Sequence, residues 1–231
     1  MKEKIKLIAF DADDTLWDNQ SYYDNAEKVL CSVLSGYGTV EEISAALLKT
    51  EIRNMAELGY GAKAFTISLL ETALEVSGNR LSGDMLAQVL NAGKSVLKMS
   101  AEPLPGVREV LEKLVASGEY RIVVFTKGDL LDQQNKLARS GLERYFEHAE
   151  ITSNKTVREY MSLCCRMGVA PEEFLMVGNS FKSDIAPVLE IGGYGIHIPF
   201  KYTWQHEVID EYDHDHLMRV ASFSEIAGLL L

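Results

Sequence analysis

Short, continuously apolar runs that alternate with helical patterns most constrain what this chain can fold into. Such runs are apolar on both faces and partly β-branched, which is typical of strands buried inside a parallel sheet. They span residues 5–10, 121–126, 173–180 and 194–200. Helical spacing of apolar residues separates the later runs. These helical patterns cover 106–118, 129–142, 156–168 and 182–193. From about residue 101 the sequence therefore predicts an α/β, doubly wound parallel sheet.

The segment from about 20 to 100 interrupts this alternation. It contains no convincing strand, and its apolar residues recur at helical spacing in four stretches. The turn "EPLPG" (102–106) then ends the helical run, because proline cannot continue a helix. We predict a Rossmann-like α/β core formed by 1–18 and 101–231, with an all-helical insertion over 19–100.

Composition excludes several classes of protein. The chain has 231 residues with 23 basic and 34 acidic side chains, a formal net charge of −11, so a nucleic acid partner is not expected. No apolar stretch reaches the roughly 20 residues that span a bilayer. The three cysteines are odd in number and two are neighbours, which argues against disulfides and predicts a reducing, cytoplasmic setting. A monomer and a homodimer both remain open.

Polar side chains follow three of these predicted strands and one further predicted strand, "AEIT" (149–152). Ligands collect at the carboxyl ends of the strands in an open α/β sheet, so residues at these positions are candidates for one shared site. They are Asp11 and Asp13 after the first strand, Thr126, Lys127 and Gly128 after the second, Lys155 after the turn beyond "AEIT", and Asn179 and Asp184 after "FLMV". A stable fold does not need carboxylates, hydroxyls and lysines at a single edge.

These residue types indicate phosphate chemistry. Carboxylates and an amide oxygen suit Mg²⁺, whereas the histidines and cysteines lack the spacing of a zinc site. An aspartate can act as a nucleophile and become an acyl phosphate, while a lysine and hydroxyls stabilise the transferring oxygens. Asp13 could then protonate the leaving alcohol and later deprotonate water.

The motifs resemble those of the haloacid dehalogenase-like (HAD) hydrolase superfamily. "FDADDTLW" (10–17) matches the family's D-x-D-x-T-L motif, and "VVFTKGD", "TSNKT" and "MVGNSFKSD" follow in the family's order. The family also places a helical cap between its first and second motifs, so the resemblance covers nearly the whole chain. It implies a Rossmann-like core, Mg²⁺ dependence and, most often, phosphate monoester hydrolysis.

Residue roles follow from this resemblance by position. Asp11 would be the nucleophile and a metal ligand, and Asp13 the general acid and base with its backbone carbonyl on the metal. Thr126 and Lys155 would hold phosphoryl oxygens, and Asp184 would serve the metal directly or through water. Many relatives have Gly-Asp where this chain has Gly178-Asn179, so either Asn179 or Asp184 could be the direct ligand.

The sequence also separates two branches of this superfamily. Its dehalogenases lack the second aspartate of the first motif, because their ester hydrolysis needs no acid for an alcohol leaving group. Asp13 is present, so the resemblance implies a phosphatase and not a dehalogenase.

Two segments outside the motifs are candidates for substrate contact. The stretch "GYGAKAFT" (59–66) is glycine-flanked, aromatic and basic, which suits either a loop over the active site that brings Lys63 to substrate or an ordinary helix–helix turn. The aromatic residues of "KYTWQHE" (201–207) either line the pocket or cover the core. Lys127 and Gly128, beside Thr126, are further candidates for substrate binding.

We therefore expect a Mg²⁺-dependent phosphatase that acts on a small phosphorylated metabolite through an aspartyl-phosphate at Asp11. A sugar phosphate, a phosphoglycolate-like acid and a nucleotide are all open as substrates. A phosphomutase of the same superfamily would have similar residues. A phospho-receiver is a different class of protein, against which the D-x-D spacing and the long insertion argue. A binding protein without turnover is a third class, which Asn179 in place of an aspartate leaves open.

Overall fold

One sheet of six parallel strands forms the centre of the described part of the chain. The computed structural model describes residues 2–201 and 204–231. The strands are β1 Leu7–Phe10, β2 Arg121–Lys127, β3 His148–Thr152, β4 Phe174–Gly178, β5 Tyr194–His197 and β6 Leu217–Arg219. Their spatial order is β3-β2-β1-β4-β5-β6, and every neighbouring pair is parallel. The predicted doubly wound α/β fold is confirmed, and β1 lies at its centre.

Strand β1 is buried on both faces, as its continuous apolar run predicts. Ile8 and Phe10 pack into one hydrophobic cluster, whereas Leu7 and Ala9 pack into a second cluster on the opposite face. Successive side chains of a strand point to opposite faces, so two covered faces require apolar residues at every position.

Helices cover both faces of the sheet. They are α5 Val107–Ser117, α6 Leu130–Ser140, α7 Val157–Met167, α8 Ala186–Glu190 and α9 Ile226–Leu230. The helix predicted over 182–193 is shorter than expected. A π-helical turn, Phe181–Ile185, precedes α8, and Pro187 stands in the first turn of α8, where its missing N–H costs no intrahelical bond.

Four further helices lie between β1 and α5 in the chain, and we call them the helical unit. They are α1 Gln20–Val33, α2 Val40–Leu58, α3 Ala62–Ser77 and α4 Gly83–Val96. Leu30, Ile43, Leu69 and Val89 are fully buried in a hydrophobic cluster that belongs to this unit alone. The helical insertion thus has a core of its own, and its boundaries at 19 and 100 stay predictions.

The two segments that join the helical unit to the sheet run side by side. The Leu104 N–H donates to the Leu16 carbonyl at 2.8 Å, and Trp17 forms an isolated antiparallel bridge with Pro103. Trp17 is fully buried. We call the segments around Leu16–Trp17 and Pro103–Leu104 the paired linkers.

None of the helices in 2–201 and 204–231 is long and apolar enough to cross a membrane.

Asp14 precedes Leu16 in the first paired linker, and its carboxylate contacts the start of α1. Its φ is +64°, a left-handed conformation that aspartate tolerates better than most residues. Its Oδ1 accepts hydrogen bonds from the backbone N–H groups of Asn19 and Gln20 at 2.8 and 2.9 Å. The carboxylate therefore satisfies N–H groups that the helix itself leaves without a partner.

Candidate active site

A cavity of about 710 Å³ lies between the carboxyl ends of the strands and the helical unit, and residues of both line it. Strand order reverses between β1 and β4, which is where an open α/β sheet offers a crevice for ligands. Eight of the nine predicted site residues line this cavity. They are Asp11, Asp13, Thr126, Lys127, Gly128, Lys155, Asn179 and Asp184.

Lys155 links the carboxylates that follow two neighbouring strands. Its Nζ is 2.5 Å from Asp11 Oδ1 and 2.6 Å from Asp184 Oδ1, and its side chain is 1% exposed. Burial raises the pKa of Asp11, Lys155 opposes that shift, and the nearby Asp184 carboxylate adds to it. Burial alone would lower the pKa of Lys155, but both carboxylates outweigh it and raise that pKa. The ammonium is therefore held charged between two acids.

The residues after β4 complete this arrangement. Thr15 Oγ1 lies 3.2 Å from both Asp11 Oδ2 and Asn179 Oδ1, so one hydroxyl joins the first motif to the last. Asp184 Oδ2 accepts from the backbone N–H of Ser180 at 2.9 Å. A Cβ on Gly178 would lie 2.3 Å from Asp184 Oδ2, so the close approach of this carboxylate requires glycine there.

Asp13 is held by three side chains. Trp17 Nε1 donates to its Oδ1 at 2.7 Å, Gln133 Nε2 donates to its Oδ2 at 2.8 Å, and Lys136 Nζ lies 3.1 Å from both oxygens. Lys136 is 1% exposed and also contacts Asp132 Oδ2 at 3.4 Å. Asp13 therefore keeps one orientation beside Asp11, and these donors were not predicted from the sequence.

Thr126 and Lys127 end β2 at the cavity wall. Thr126 is buried. Lys127 Nζ donates to Glu207 Oε1 at 2.8 Å and lies 4.1 Å from the centre of the Tyr60 ring. Burial lowers the pKa of Lys127, and Glu207 opposes that shift. Burial would raise the pKa of Glu207, but Lys127 and two serine hydroxyls outweigh it and lower that pKa to about 2. Glu207 is a further residue that sequence reasoning missed.

Gly128 turns the chain away from β2. Its φ is +131°, and a Cβ there would lie 3.0 Å from Gln133 Nε2. The glycine thus leaves room for the amide that holds Asp13. The structure brings Gly128 to the cavity wall, where its backbone is the part open to a ligand.

The structure does not bring Lys63 to the residues that line the cavity. Its Nζ is 3.4 Å from Asp129 Oδ1, and its side chain is 55% exposed. Tyr60, in the same predicted loop, does line the cavity. In the segment 201–207, Trp204 and Glu207 also line it, whereas Tyr202 and Thr203 lie outside the described residues.

The donor atoms near Asp11 suit a magnesium ion. Within 2–201 and 204–231 no group of three or more His, Cys, Asp or Glu side chains is placed to hold a metal ion. Asp11, Asp184 and Asn179 offer two carboxylates and an amide oxygen at one edge of the sheet. Hard oxygen donors without nitrogen or sulfur are the ligands that Mg²⁺ prefers, often together with water.

Comparisons with known proteins agree with the motifs. A family model described as haloacid dehalogenase-like hydrolase matches residues 5–192. A glyceraldehyde 3-phosphate phosphatase of Methanothermobacter thermautotrophicus is 28% identical over 196 residues, which cover 81% of this chain and 83% of that protein. A protein of the same name from Methanocaldococcus jannaschii is 27% identical over 90% of both chains.

Solved structures agree with the fold. The crystal structure of a haloacid dehalogenase-like family hydrolase from Xanthomonas campestris is 35% identical to this chain, with a TM-score of 0.89 over 98% of this chain and 91% of that one. L-2-haloacid dehalogenase from Xanthobacter autotrophicus has a TM-score of 0.65 over 98% of each chain at 18% identity, and shares the fold. The predicted enzyme class, a phosphoric monoester hydrolase, is confirmed by the family model and the phosphatase relatives. With the motifs, the fold and these matches in agreement, the chain belongs to the haloacid dehalogenase-like hydrolases.

Proposed function

We propose that the protein is a Mg²⁺-dependent phosphatase that hydrolyses a small phosphorylated metabolite through an aspartyl-phosphate at Asp11. The observation that carries this proposal is the placement of two aspartates with different partners at one cavity. Asp11 contacts the buried ammonium of Lys155, whereas Asp13 is held by Trp17, Gln133 and Lys136. Two carboxylates in different environments suit two different roles.

The first step transfers the phosphoryl group to the protein. A carboxylate oxygen of Asp11 attacks phosphorus, the bond between phosphorus and the ester oxygen breaks, and Asp13 gives its proton to the leaving alcohol. Lys155 and Thr126 bind the phosphoryl oxygens and stabilise the charge that spreads over them in the transition state.

The second step releases phosphate. Asp13 takes a proton from water, the water oxygen attacks the phosphorus of the aspartyl-phosphate, and the bond between phosphorus and Asp11 breaks. Inorganic phosphate leaves, and Asp13 again carries the proton with which the cycle began.

Asp11, Asp184 and Asn179, with the backbone carbonyl of Asp13, are the residues that would hold Mg²⁺. When bound, Mg²⁺ neutralises negative charge, so that a phosphate can approach Asp11. The oxygen donor set supports this assignment, and the amide of Asn179 in place of a carboxylate predicts a weaker site than three acids would give.

The helical unit acts in this proposal as a cap. Tyr60, in the turn between α2 and α3, packs against Lys127 of β2 and lies 6.1 Å from the Trp204 ring. These contacts support a position of the unit over the carboxyl ends of the strands. A closed cap keeps bulk water from the first step, and its opening would release the products.

The relatives named for glyceraldehyde 3-phosphate support a sugar phosphate as substrate, and a cavity of about 710 Å³ has room for one.

We also propose a cytoplasmic monomer or homodimer. The odd number of cysteines, two of them neighbours in sequence, supports a reducing compartment.

Phosphate release by the wild type, Asp11→Asn and Asp13→Asn tests this mechanism. We expect Mg²⁺-dependent release from sugar phosphates and from p-nitrophenyl phosphate, lost on chelation. Both variants should lose about a hundredfold or more in kcat, whereas Asp84→Asn, an exposed carboxylate outside the cavity, should match the wild type. Release that persists in Asp11→Asn, or no release from any phosphomonoester with Mg²⁺, would contradict the proposal. Transfer of phosphate to a second substrate position without release would identify a mutase.

A further inference from the structure

We infer that the helical side of the cavity selects phosphomonoesters whose alcohol is neutral or positively charged and rejects those with a second acid group, with Glu51 as the specificity-determining residue. This inference rests on the proposed function and narrows its substrate class. It would favour sugar or amino-alcohol phosphates over phosphoglycolate-like acids.

Both sides of the cavity carry acidic side chains, but only the sheet side of the described chain adds basic ones. The helical unit contributes three acidic side chains, those of Glu27, Glu41 and Glu51, and no basic side chain among the described lining residues. The basic side chains that line the cavity in the described chain are Lys127 and Lys155, both at the strand ends. The phosphate thus has cations at the sheet, whereas the rest of the substrate faces acids.

Both lining lysines are already engaged. Lys155 lies between Asp11 and Asp184, at 2.5 and 2.6 Å. Lys127 pairs with Glu207 at 2.8 Å, and its ammonium makes a cation–π contact with the Tyr60 ring. A carboxylate on the substrate would have to break one of these contacts in order to find a counter-charge.

Nearby cations of the helical unit are held elsewhere. Arg53 Nη2 contacts Glu71 and Glu75 at 3.1 and 2.8 Å, and Lys63 contacts Asp129. Neither basic residue lines the cavity. The acidic character of this side is therefore not compensated by these two residues.

The surroundings of Glu51 already disfavour negative charge. Glu51 is half-buried on α2 and lines the cavity together with Trp204. Burial, and then the charge of Glu27, raise the pKa of Glu51 to about 8, although Trp204 opposes that shift. A substrate carboxylate in the same place would meet the same loss of hydration and the same repulsion.

Neutral and cationic groups meet suitable partners at this place. Asn54 lines the same side of the cavity. Its Nδ2 donates to Ser68 Oγ and Glu71 Oε2 at 3.1 and 2.8 Å, and its Oδ1 can accept a hydrogen bond from a substrate hydroxyl. The rings of Tyr60 and Trp204 lie 6.1 Å apart in an edge-to-face arrangement, and aromatic faces attract cations. Hydroxyl and amino groups could therefore bind here, whereas a carboxylate would be repelled.

Two matched pairs of substrates test the inference. In the first pair, 3-phosphoglycerate carries a carboxylate where sn-glycerol 3-phosphate has a hydroxymethyl group. In the second pair, phosphoglycolate carries a carboxylate where phosphoethanolamine has an aminomethyl group. We expect the wild type to have a kcat/KM at least about tenfold lower for the acid of each pair, which corresponds to about 1.4 kcal/mol.

Glu51→Lys should raise kcat/KM for 3-phosphoglycerate relative to sn-glycerol 3-phosphate by about tenfold or more. Glu57→Lys makes the same change of charge on the exposed side of the same helix, outside the cavity, and should leave the ratio within about twofold. p-Nitrophenyl phosphate reports whether each variant remains an active enzyme.

The outcomes separate the two proposals. Equal or higher kcat/KM for the acids, with p-nitrophenyl phosphate turned over, would overturn the inference and leave the phosphatase standing. The same shift in ratio in both lysine variants, or no shift in Glu51→Lys, would overturn the role of Glu51. No release from any phosphomonoester in Mg²⁺ would overturn the proposed function, and the inference with it.

Discussion

Lys136→Met is expected to destabilise the protein strongly, although the change replaces a charged side chain with an apolar one of similar length. The Lys136 ammonium is 1% exposed and contacts Asp13 at 3.1 Å and Asp132 at 3.4 Å. It also donates to Asn19 Oδ1 at 2.9 Å. Methionine fills the same volume and removes all of these contacts.

The magnitude follows from what remains after the change. The Asp132 side chain is 3% exposed and would be left as a buried charge without its counter-ion. Removing one partner of a buried pair costs about 3–5 kcal/mol, which corresponds to a fall in Tm of roughly 6–20 °C for a chain of this size. Lys113→Met, which changes an exposed lysine on α5, should cost less than about 0.5 kcal/mol.

A double variant tests the physical reason. Burial raises the pKa of Asp132 in spite of Lys136, so the buried carboxylate is itself unfavourable and its partner only compensates for it. Lys136→Met combined with Asp132→Leu should therefore recover more than half of the lost stability. Urea unfolding followed by circular dichroism gives the free energies of unfolding.

Activity provides a second measurement on the same variants. Asp13 keeps Trp17 and Gln133 but loses the Lys136 ammonium from both of its oxygens. A small displacement of a reacting group can lower the rate about a hundredfold. We therefore expect kcat to fall by about that factor in Lys136→Met and in the double variant. If Lys136→Met had a free energy of unfolding within about 1 kcal/mol of the wild type and an unchanged kcat, this reasoning would be refuted.

The remaining predictions concern an acid-sensitive contact and a tight helix contact. The pKa of Glu207 falls from 4.5 to about 2 in the fold, so its contribution, up to about 3 kcal/mol, is present above pH 4.5 and is lost as the pH falls toward 2. Lys127 stays protonated throughout that window, so Glu207→Gln should flatten the acid limb of stability against pH in urea titrations, and an unchanged slope would contradict the pairing. On α4, a Cβ on Gly93 would lie 2.5 Å from Thr66 Oγ1, so Gly93→Ala should lower stability by about 1–3 kcal/mol. A Cβ on Gly83 would have no atom within 4 Å, so Gly83→Ala should not lower stability in this way. Equal Tm values for the two variants would show that α3 and α4 can move apart at little cost.

The sheet and the motif residues could be predicted because their signals are local. The apolar run that became β1 and the aspartates that follow it are neighbours in sequence, and parallel strands bring such ends to one edge. Asp11, Lys155 and Asp184 thus meet as the order of strands requires. The acidic motif with Asn179 lies at the same edge for the same reason.

Lys136 could not be recognised in this way. In sequence it resembles an ordinary polar residue of an amphipathic helix, and its partner Asp13 lies 123 residues away. Only the packing of α6 against the end of β1 makes it a buried charge. Glu207 is similar, because it follows no strand directly and its contact with Lys127 spans 80 residues.

The prediction of a substrate contact by Lys63 rests on a local signal of another kind. Lys63 follows two glycines in a predicted loop, which indicates a substrate contact, whereas its ammonium lies 3.4 Å from Asp129 Oδ1. Side-chain direction within a turn is set by neighbours from other elements, and sequence spacing does not encode it. The same turn nevertheless brings Tyr60 to the cavity, because the ring packs on Lys127.

The paired linkers make the helical unit a replaceable module. Because Leu104 bonds to Leu16 and Trp17 bridges to Pro103, the chain leaves the sheet and returns to it at nearly the same point. An insertion whose ends are adjacent places little constraint on the fold that carries it, and its length changes the cost of closure only slowly. A different helical insertion could therefore be grafted between Trp17 and Pro103 without changing the order of the strands in the sheet.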